Sequence, residues 1–111
     1  MKIYLSGPVT NEPNYRRNFK VAQSILESLG YKNIVNPAEL CQVVNTECTN
    51  YDQMINICLE LLNDCDAVLF LPGWKDSHGC GREWGVAWER GLIMAEYEDF
   101  INLERGVNSD D

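Results

Sequence analysis

The chain has 111 residues, which is enough for one domain but not for two. Apolar residues make up 45% of the sequence, so the chain can bury a core and is not expected to be disordered. The formal net charge of −8 argues against a nucleic-acid polymer as partner, because such proteins present a basic face. No apolar run is long enough to span a bilayer, and the N-terminus does not resemble a signal peptide, so no membrane partner is expected.

The cysteine pattern argues against a metal site. Five cysteines and one histidine, His78, are present, but no CxxC pair occurs. Structural zinc sites normally show closely paired ligands, so neither a metal nor another cofactor is expected. Without a signal peptide the cysteines are interpreted as reduced thiols of a cytoplasmic protein.

The first half of the chain is predicted to form a strand, a helix and a second strand. Residues 1–5 are β-prone and run into a loop at Ser6-Gly7-Pro8. Apolar residues at helical spacing predict a helix over residues 13–29, with Pro13 in its first turn and Gly30 as its stop. A short strand over residues 31–35 follows, and residues 38–40 can form one helical turn.

The second half continues the alternation. A cap formed by Asn50 and Gln53 opens a helix whose apolar stripe includes Cys58 and Cys65 on one face. The apolar run 67–71 is typical of a strand covered on both sides. A helix over residues 80–90, a strand over 92–95 and a helical turn over 100–103 complete the order.

Strands that alternate with helices predict an α/β fold with a parallel sheet between two helical layers. The expected class is a flavodoxin-like or Rossmann-like three-layer sandwich with four or five strands. Residues 1–97 form the predicted domain, and residues 98–111 a short acidic C-terminal extension. Ligands of such sheets bind at the carboxyl ends of the strands, which draws attention to the loops at residues 6–13 and 72–79.

The segment 76–83 leads from the second of these loops into a helix. Gly79 and Gly81, with Ser77, are expected to leave backbone N–H groups open to an anion at the helix N-terminus. Glu83 follows about one turn later, and the helix dipole is expected to keep it ionised. Such a carboxylate can attack an electrophilic carbon, or it can merely stabilise the first turn of the helix.

Five segments in order resemble one family, the nucleoside 2-deoxyribosyltransferase-like proteins of phages and bacteria. The segments are KIYLSGP at 2–8, VNPAEL at 35–40, DCDAV at 64–68, LPGW at 71–74 and the Ser-x-Gly-x-x-x-Glu motif at 77–83, which follows Asp76. A more distant similarity extends to deoxynucleoside 5′-monophosphate N-glycosidases. The resemblance implies cleavage of the bond between a base and deoxyribose, by hydrolysis or by transfer to a second base.

The resemblance also implies roles for individual residues. Glu83 corresponds to the nucleophile and Ser77 to a residue that assists phosphate binding, which favours a nucleotide substrate. Substrate is further expected at the loop and strand positions around this motif, namely Tyr4, Ser6, Gly7, Asp76, His78, Gly79 and Gly81. Arg16 and Arg17 either reach a phosphate or are two exposed helix charges.

One position departs from the family pattern. Relatives have an aspartate eight residues before the position of Asp66, where this chain has Cys58. A thiol does not accept hydrogen bonds from sugar hydroxyls as a carboxylate does. Asp52, Asp76 or a partner subunit supplies the missing group, or catalysis is weakened and the domain is a non-catalytic nucleotide-binding or sensing module.

Trp84 and Trp88 are four residues apart on the third predicted helix. Such an aromatic stripe is either core or a subunit contact, because monomers seldom expose one. Relatives are commonly homo-oligomers, so a homodimer or larger assembly is expected.

Overall fold

The computed structural model describes residues 1–43 and 50–106, in which four strands form one parallel sheet. The strands are β1 (Lys2–Ser6), β2 (Asn33–Val35), β3 (Ala67–Phe70) and β4 (Ile93–Glu96). Their order across the sheet is β2-β1-β3-β4, as in flavodoxin-like sheets. The predicted fold class is confirmed.

Five helices connect or follow these strands. They are α1 (Tyr15–Ser28), α2 (Pro37–Val43), α3 (Tyr51–Asn63), α4 (His78–Arg90) and α5 (Tyr97–Glu104). The predicted alternation of strands and helices is confirmed. The single turns expected at residues 38–40 and 100–103 are parts of complete helices, α2 and α5.

Several predicted boundaries were wrong by one to two residues, and three of them concern α1, α4 and β1. Helix α1 begins at Tyr15, so Pro13 lies before the helix rather than in its first turn. Helix α4 begins at His78 because Ser77 acts as its N-cap. Strand β1 extends to Ser6, which places this serine within the sheet.

Alternate residues of the central strands face opposite helical layers. Ile3, Leu5 and Leu69 belong to one buried cluster with residues of α1 and α5. Tyr4 and Val68 belong to a second buried cluster with residues of α3 and α4. Burial on both faces explains the uninterrupted apolar run of β3, because every position of that strand meets a helical layer.

Local sequence signals set the helix ends. Asn50 and Gln53 form the predicted capping box of α3, with Asn50 Oδ1 accepting from the Gln53 N–H at 2.8 Å. Gly30 and Gly91 adopt left-handed φ values of 101° and 69° where α1 and α4 stop. Cys58 and Cys65 are buried on the same face of α3, as their spacing predicts.

The C-terminal part of the described chain packs on the core. Tyr97 and Ile101 of α5 are buried against the face of the sheet that α1 covers. The Tyr97 hydroxyl donates to the carbonyl oxygen of Ala22 at 3.1 Å. The predicted extension 98–111 therefore contains one residue of the core, Ile101, while residues 107–111 lie outside the described residues. In the part of the chain described here, no helix has the length and apolar character needed to cross a membrane.

Candidate active site

The candidate site lies where β1 and β3 end side by side. Strand β1 pairs with β2 on one side and with β3 on the other. From β1 the chain enters α1 on one face of the sheet, and from β3 it enters α4 on the opposite face. This divergence opens a crevice at the carboxyl edge of the sheet, the usual ligand position of such folds.

Glu83 occupies the floor of this crevice. Its side chain comes from α4, is 6% exposed and contacts two residues of β1. The Tyr4 hydroxyl donates to Glu83 Oε2, and the Ser6 hydroxyl donates to Oε1 at 2.9 Å. Tyr4 and Ser6 are two positions apart on β1, so both side chains leave the same face of the sheet and reach the same carboxylate.

The carboxyl group of Glu83 has an unusually high pKa. Burial raises its pKa to about 7, although the hydrogen bonds from Tyr4 and Ser6 act in the opposite direction. The expectation that Glu83 stays ionised beside the helix dipole was therefore wrong. Glu83 lies in the second turn of α4, where the dipole is weak, and loss of hydration dominates. Burial and the nearby Glu83 also hold the pKa of the Tyr4 phenol well above its ordinary value.

A cavity of about 120 Å³ opens above the carboxylate. Five of the residues predicted from the sequence line it, and we call this space the inner cavity: Tyr4, Gly7, Ser77, Gly79 and Glu83. Ser6 does not line it, but its side chain forms hydrogen bonds with Glu83 and Cys80, which do. The remaining wall is mostly apolar and includes Phe19, Met54 and Ile55.

Gly7 allows the first loop to approach β3 closely. A Cβ atom at this position would lie 2.9 Å from Leu71 Cδ1 and 3.0 Å from Phe19 Cζ. Any larger residue must displace the wall of the inner cavity. Gly7 therefore shapes the site through its small size.

The N-terminus of α4 is less open than the sequence suggested. Ser77 Oγ accepts from the Cys80 N–H at 3.3 Å, and the Ser77 carbonyl oxygen accepts from the Gly81 N–H at 3.1 Å. Both amides are therefore occupied by α4's own capping serine. Gly81 is exposed and lines neither space, so the structure does not bring it together with the other predicted site residues.

Asp76 and His78 lie outside the inner cavity. With Ser77 they line a wider space of about 610 Å³, which we call the outer groove, together with Pro8, Thr10, Asn11, Glu12 and Gly73. Ser77 and Thr10 border both spaces, so the inner cavity opens into the outer groove. The structure thus divides the predicted residues between a deep carboxylate site and its entrance.

Cys58 lies in the inner cavity beside the residues that hold Glu83. Its thiol forms a hydrogen bond with the Tyr4 hydroxyl. Asp52, one suggested substitute for the missing aspartate, is exposed and lies 3.7 Å from Arg82 Nη1 in an ion pair outside this cavity. Asp76, a second suggested substitute, lines the outer groove and the neighbouring cavity beside Trp74 but not the inner cavity.

Cys80 also lines the inner cavity but is not an activated thiol. It is 1% exposed, and burial raises its pKa above the ordinary value for cysteine. Cys80 is therefore a packed side chain.

Sequence reasoning missed six residues of the wall, namely Val9, Thr10, Phe19, Pro37, Met54 and Ile55. Met54 and Ile55 come from the first turns of α3, and Thr10 comes from the first loop. Their sequence signal is only that of ordinary helix and loop residues. Their place in the site follows from how α3 packs over the end of β1, which no local pattern encodes.

The two arginines of α1 lie away from both spaces. Arg16 Nε donates to the Tyr15 hydroxyl at 3.1 Å, and Arg17 lines a separate groove against Pro72 and Tyr97. No cluster of three His, Cys, Asp or Glu side chains suited to a metal occurs within residues 1–43 and 50–106.

Trp84 and Trp88 are surface residues rather than core. Their rings stack with centroids 5.3 Å apart, and Trp88 is 68% exposed. Of the two interpretations left open by the sequence, burial in the core of one chain is therefore wrong. The pair lies on the exposed part of α4, whereas Glu83 of the same helix is buried.

Comparison with known proteins places the chain in a family without assigning an activity. No curated protein matches it. One family model, described as "Domain of unknown function (DUF4406)", matches residues 1–95, which cover nearly the whole sheet and the residues around Glu83. Because this match spans most of the chain, the protein belongs to that domain family, DUF4406.

Proposed function

We propose that the protein cleaves the N-glycosidic bond of a deoxynucleoside, or of its 5′-monophosphate, with Glu83 as the nucleophile. The observation that carries the proposal is the Glu83 carboxylate, buried on the floor of the inner cavity and held through both oxygens by Tyr4 and Ser6. The resemblance of residues 77–83 to the deoxyribosyltransferase motif supplies the reaction class. A buried carboxylate with a strongly shifted pKa in a cleft is a common sign of a catalytic group.

The chemistry follows from the carboxylate's position. One oxygen of ionised Glu83 attacks C1′ of the sugar as the bond from C1′ to the base nitrogen breaks, through a transition state with oxocarbenium character. The bonding electrons leave with the base, which takes up a proton. Water then opens the sugar ester and restores Glu83, giving hydrolysis, whereas attack by a second base gives transfer.

The pKa of about 7 suits this role. Near neutral pH about half of the molecules carry the ionised nucleophile, whose charge the hydrogen bonds from Tyr4 and Ser6 stabilise. The apolar wall around it excludes water and strengthens its attraction for a developing positive charge. Tyr4 and Ser6 orient the carboxylate and do not need to exchange protons themselves.

The test is the release of free base from a panel of deoxynucleosides, ribonucleosides and their 5′-monophosphates, followed by chromatography. The proposal predicts release from at least one deoxy substrate, and addition of a second free base reveals transfer as a new nucleoside. No release from any member, at micromolar enzyme and long incubation, contradicts the proposal.

A non-catalytic binding module of the same fold is the second candidate. Cys58 favours it, because this thiol lies in the inner cavity where the resemblance implies an aspartate. Calorimetry separates the two candidates: the module binds a nucleoside or nucleotide and returns it unchanged. Any turnover that depends on Glu83 excludes the module.

The proposal includes a homodimer or larger assembly in the cytoplasm. The stacked Trp84 and Trp88 pair supports a subunit contact, since isolated chains rarely expose such a pair. Buried thiols at Cys65 and Cys80 suit a reducing compartment. Light scattering tests the assembly: Trp88→Ala is expected to lower the measured mass of the particle, and a monomeric wild-type chain contradicts this part of the proposal.

A further inference from the structure

The inner cavity is too small for a whole substrate. Its volume of about 120 Å³ lies well below the roughly 300–1,000 Å³ of ordinary ligand pockets. The outer groove, at about 610 Å³, continues from it past Ser77 and Thr10. A nucleoside whose C1′ approaches Glu83 must therefore place its other end in the outer groove.

The path from the groove to Glu83 is lined by negative charge. The carboxylates of Glu12 and Asp76 border the outer groove, and Glu83 lies at the end of the inner cavity. Among the described residues that line the two spaces, none is a lysine or an arginine, and His78 is the one side chain that can become positive. Glu12 Oε1 accepts from the Asn14 N–H at 3.3 Å.

The cations nearest in sequence are engaged elsewhere. The Lys75 ammonium lies 5.9 Å from the centre of the Trp74 ring and lines a neighbouring cavity, which shares Gly73 and Asp76 with the outer groove. Arg82 pairs with Asp52, and Arg17 lines the groove between α1 and α5. No arginine or lysine of the described chain thus lines the groove to neutralise an entering anion.

The helix N-terminus does not compensate for this charge. Ser77 already occupies the Cys80 and Gly81 amides, which leaves the His78 and Gly79 amides for a ligand. A helix N-terminus is equivalent to about half a positive charge, whereas a phosphate monoester brings about −1.5 to −2 at pH 7. Two carboxylates at the entrance outweigh that dipole.

We infer that the substrate is an uncharged nucleoside rather than its 5′-monophosphate, and that Glu12 and Asp76 accept hydrogen bonds from its hydroxyl or amino groups. The inference rests on the proposed function and names the substrate class of the same site. It runs against the nucleotide preference that Ser77 suggested from the sequence. In this structure the Ser77 hydroxyl caps α4, and its role is explained without a phosphate.

Matched substrate pairs test the inference. Initial rates of base release are compared for each deoxynucleoside and its own 5′-monophosphate. The expected result is a kcat/KM for the nucleoside at least about tenfold higher, from repulsion between the phosphate and the groove carboxylates. Added salt should shrink the ratio, because it screens that repulsion. Equal rates, or a preference for the monophosphate, overturn the inference while leaving the proposed function intact.

Variants that each remove one carboxylate charge test whether Asp76 and Glu12 cause the preference for the nucleoside. Asp76→Asn and Glu12→Gln should each raise kcat/KM for the monophosphate by about three- to fivefold relative to the nucleoside. The control Glu27→Gln removes the same charge from the exposed face of α1 and should leave the ratio unchanged. Equal responses in all three variants overturn the assignment to the groove.

If the protein releases no base from any substrate, rates cannot be compared, and binding measurements test the inference instead. In that case the proposed function fails, and calorimetry on the wild-type chain compares the binding of nucleoside and monophosphate. Tighter binding of the nucleoside supports the inference. Equal or tighter binding of the monophosphate, or no binding of either, overturns it.

Discussion

The hydroxyl of Tyr4 donates a hydrogen bond to Glu83 Oε2, although 79 positions separate the two residues in the chain. The contact exists because β1 and β3 are neighbours in the sheet and α4 returns across the face that Tyr4 occupies. It joins the centre of the sheet to the proposed nucleophile. The charge state of Glu83 therefore depends on a strand residue that is itself fully buried.

Replacement of Tyr4 by phenylalanine should make Glu83 harder to ionise. The Tyr4 hydrogen bond lowers the pKa of Glu83 from what burial alone would impose, so its loss raises that pKa further above about 7. If ionised Glu83 is the nucleophile, the acidic limb of the pH–rate profile should move up by about one pH unit in Tyr4→Phe. The measurement is kcat/KM for base release between about pH 5 and pH 9.

A matched control is available on the other side of the sheet. Tyr97→Phe also removes a buried tyrosine hydroxyl, the donor to the Ala22 carbonyl oxygen, but it does not contact Glu83. This variant should lose some stability and keep the wild-type pH profile. If the acidic limb of the pH–rate profile of Tyr4→Phe stays in place or moves to lower pH, the Tyr4 hydroxyl does not govern ionisation of the Glu83 carboxylate.

Glu83 should also make folding stability depend on pH. Its pKa is about 7 in the folded chain against an ordinary value of 4.5, so the fold favours the protonated form. The associated stability is fully present below pH 4.5 and is lost as the pH rises through about 7. Urea unfolding at about pH 5 and pH 8 should show the wild type losing about 2 to 3 kcal/mol more than Glu83→Gln.

The comparison with Glu83→Gln isolates one group from the other carboxyls. Glutamine keeps the size of the side chain and cannot ionise, so titration elsewhere affects both proteins equally. The same change in free energy of unfolding for both proteins would show that Glu83 titrates normally in the folded chain.

Gly7 and Gly85 should respond oppositely to alanine. A Cβ atom at Gly7 meets Leu71 and Phe19 at 2.9 to 3.0 Å, whereas one at Gly85 has no neighbour within 4 Å. Gly7→Ala should therefore destabilise the fold by about 1 to 3 kcal/mol. Gly85→Ala should stabilise α4 by about 0.5 to 1 kcal/mol through helix propensity. Thermal unfolding of both variants checks the pair, and a neutral Gly7→Ala would mean that the loop has room to shift.

Much of the fold was predictable because its signals are local. The capping pair Asn50 and Gln53 fixes the start of α3, and Gly91 permits the left-handed turn that ends α4. The apolar run of β3 required helices on both faces, which led to the parallel sheet. Helices α2 and α5 were underestimated because only part of each carries a clear apolar pattern.

The site was predictable in position but not in chemistry. Strand ends and the motif at residues 77–83 placed Glu83 at the correct edge of the sheet. Its raised pKa was not predictable, because it arises from burial beneath residues of β1 and α3 that are distant in sequence. The same holds for Gly81, whose exposure depends on how α4 is rotated against the sheet.

The central claim is that Glu83 carries out the reaction, and one paired measurement tests it most directly. Base release from the best deoxynucleoside of the panel is followed for the wild type, Glu83→Gln and Glu89→Gln. Glu89 lies on the same helix, exposed and away from the cavity, so its variant controls for loss of charge and for helix stability. The account predicts wild-type rates for Glu89→Gln and a loss of at least about a hundredfold for Glu83→Gln. Base release by a folded Glu83→Gln at the wild-type rate would contradict it.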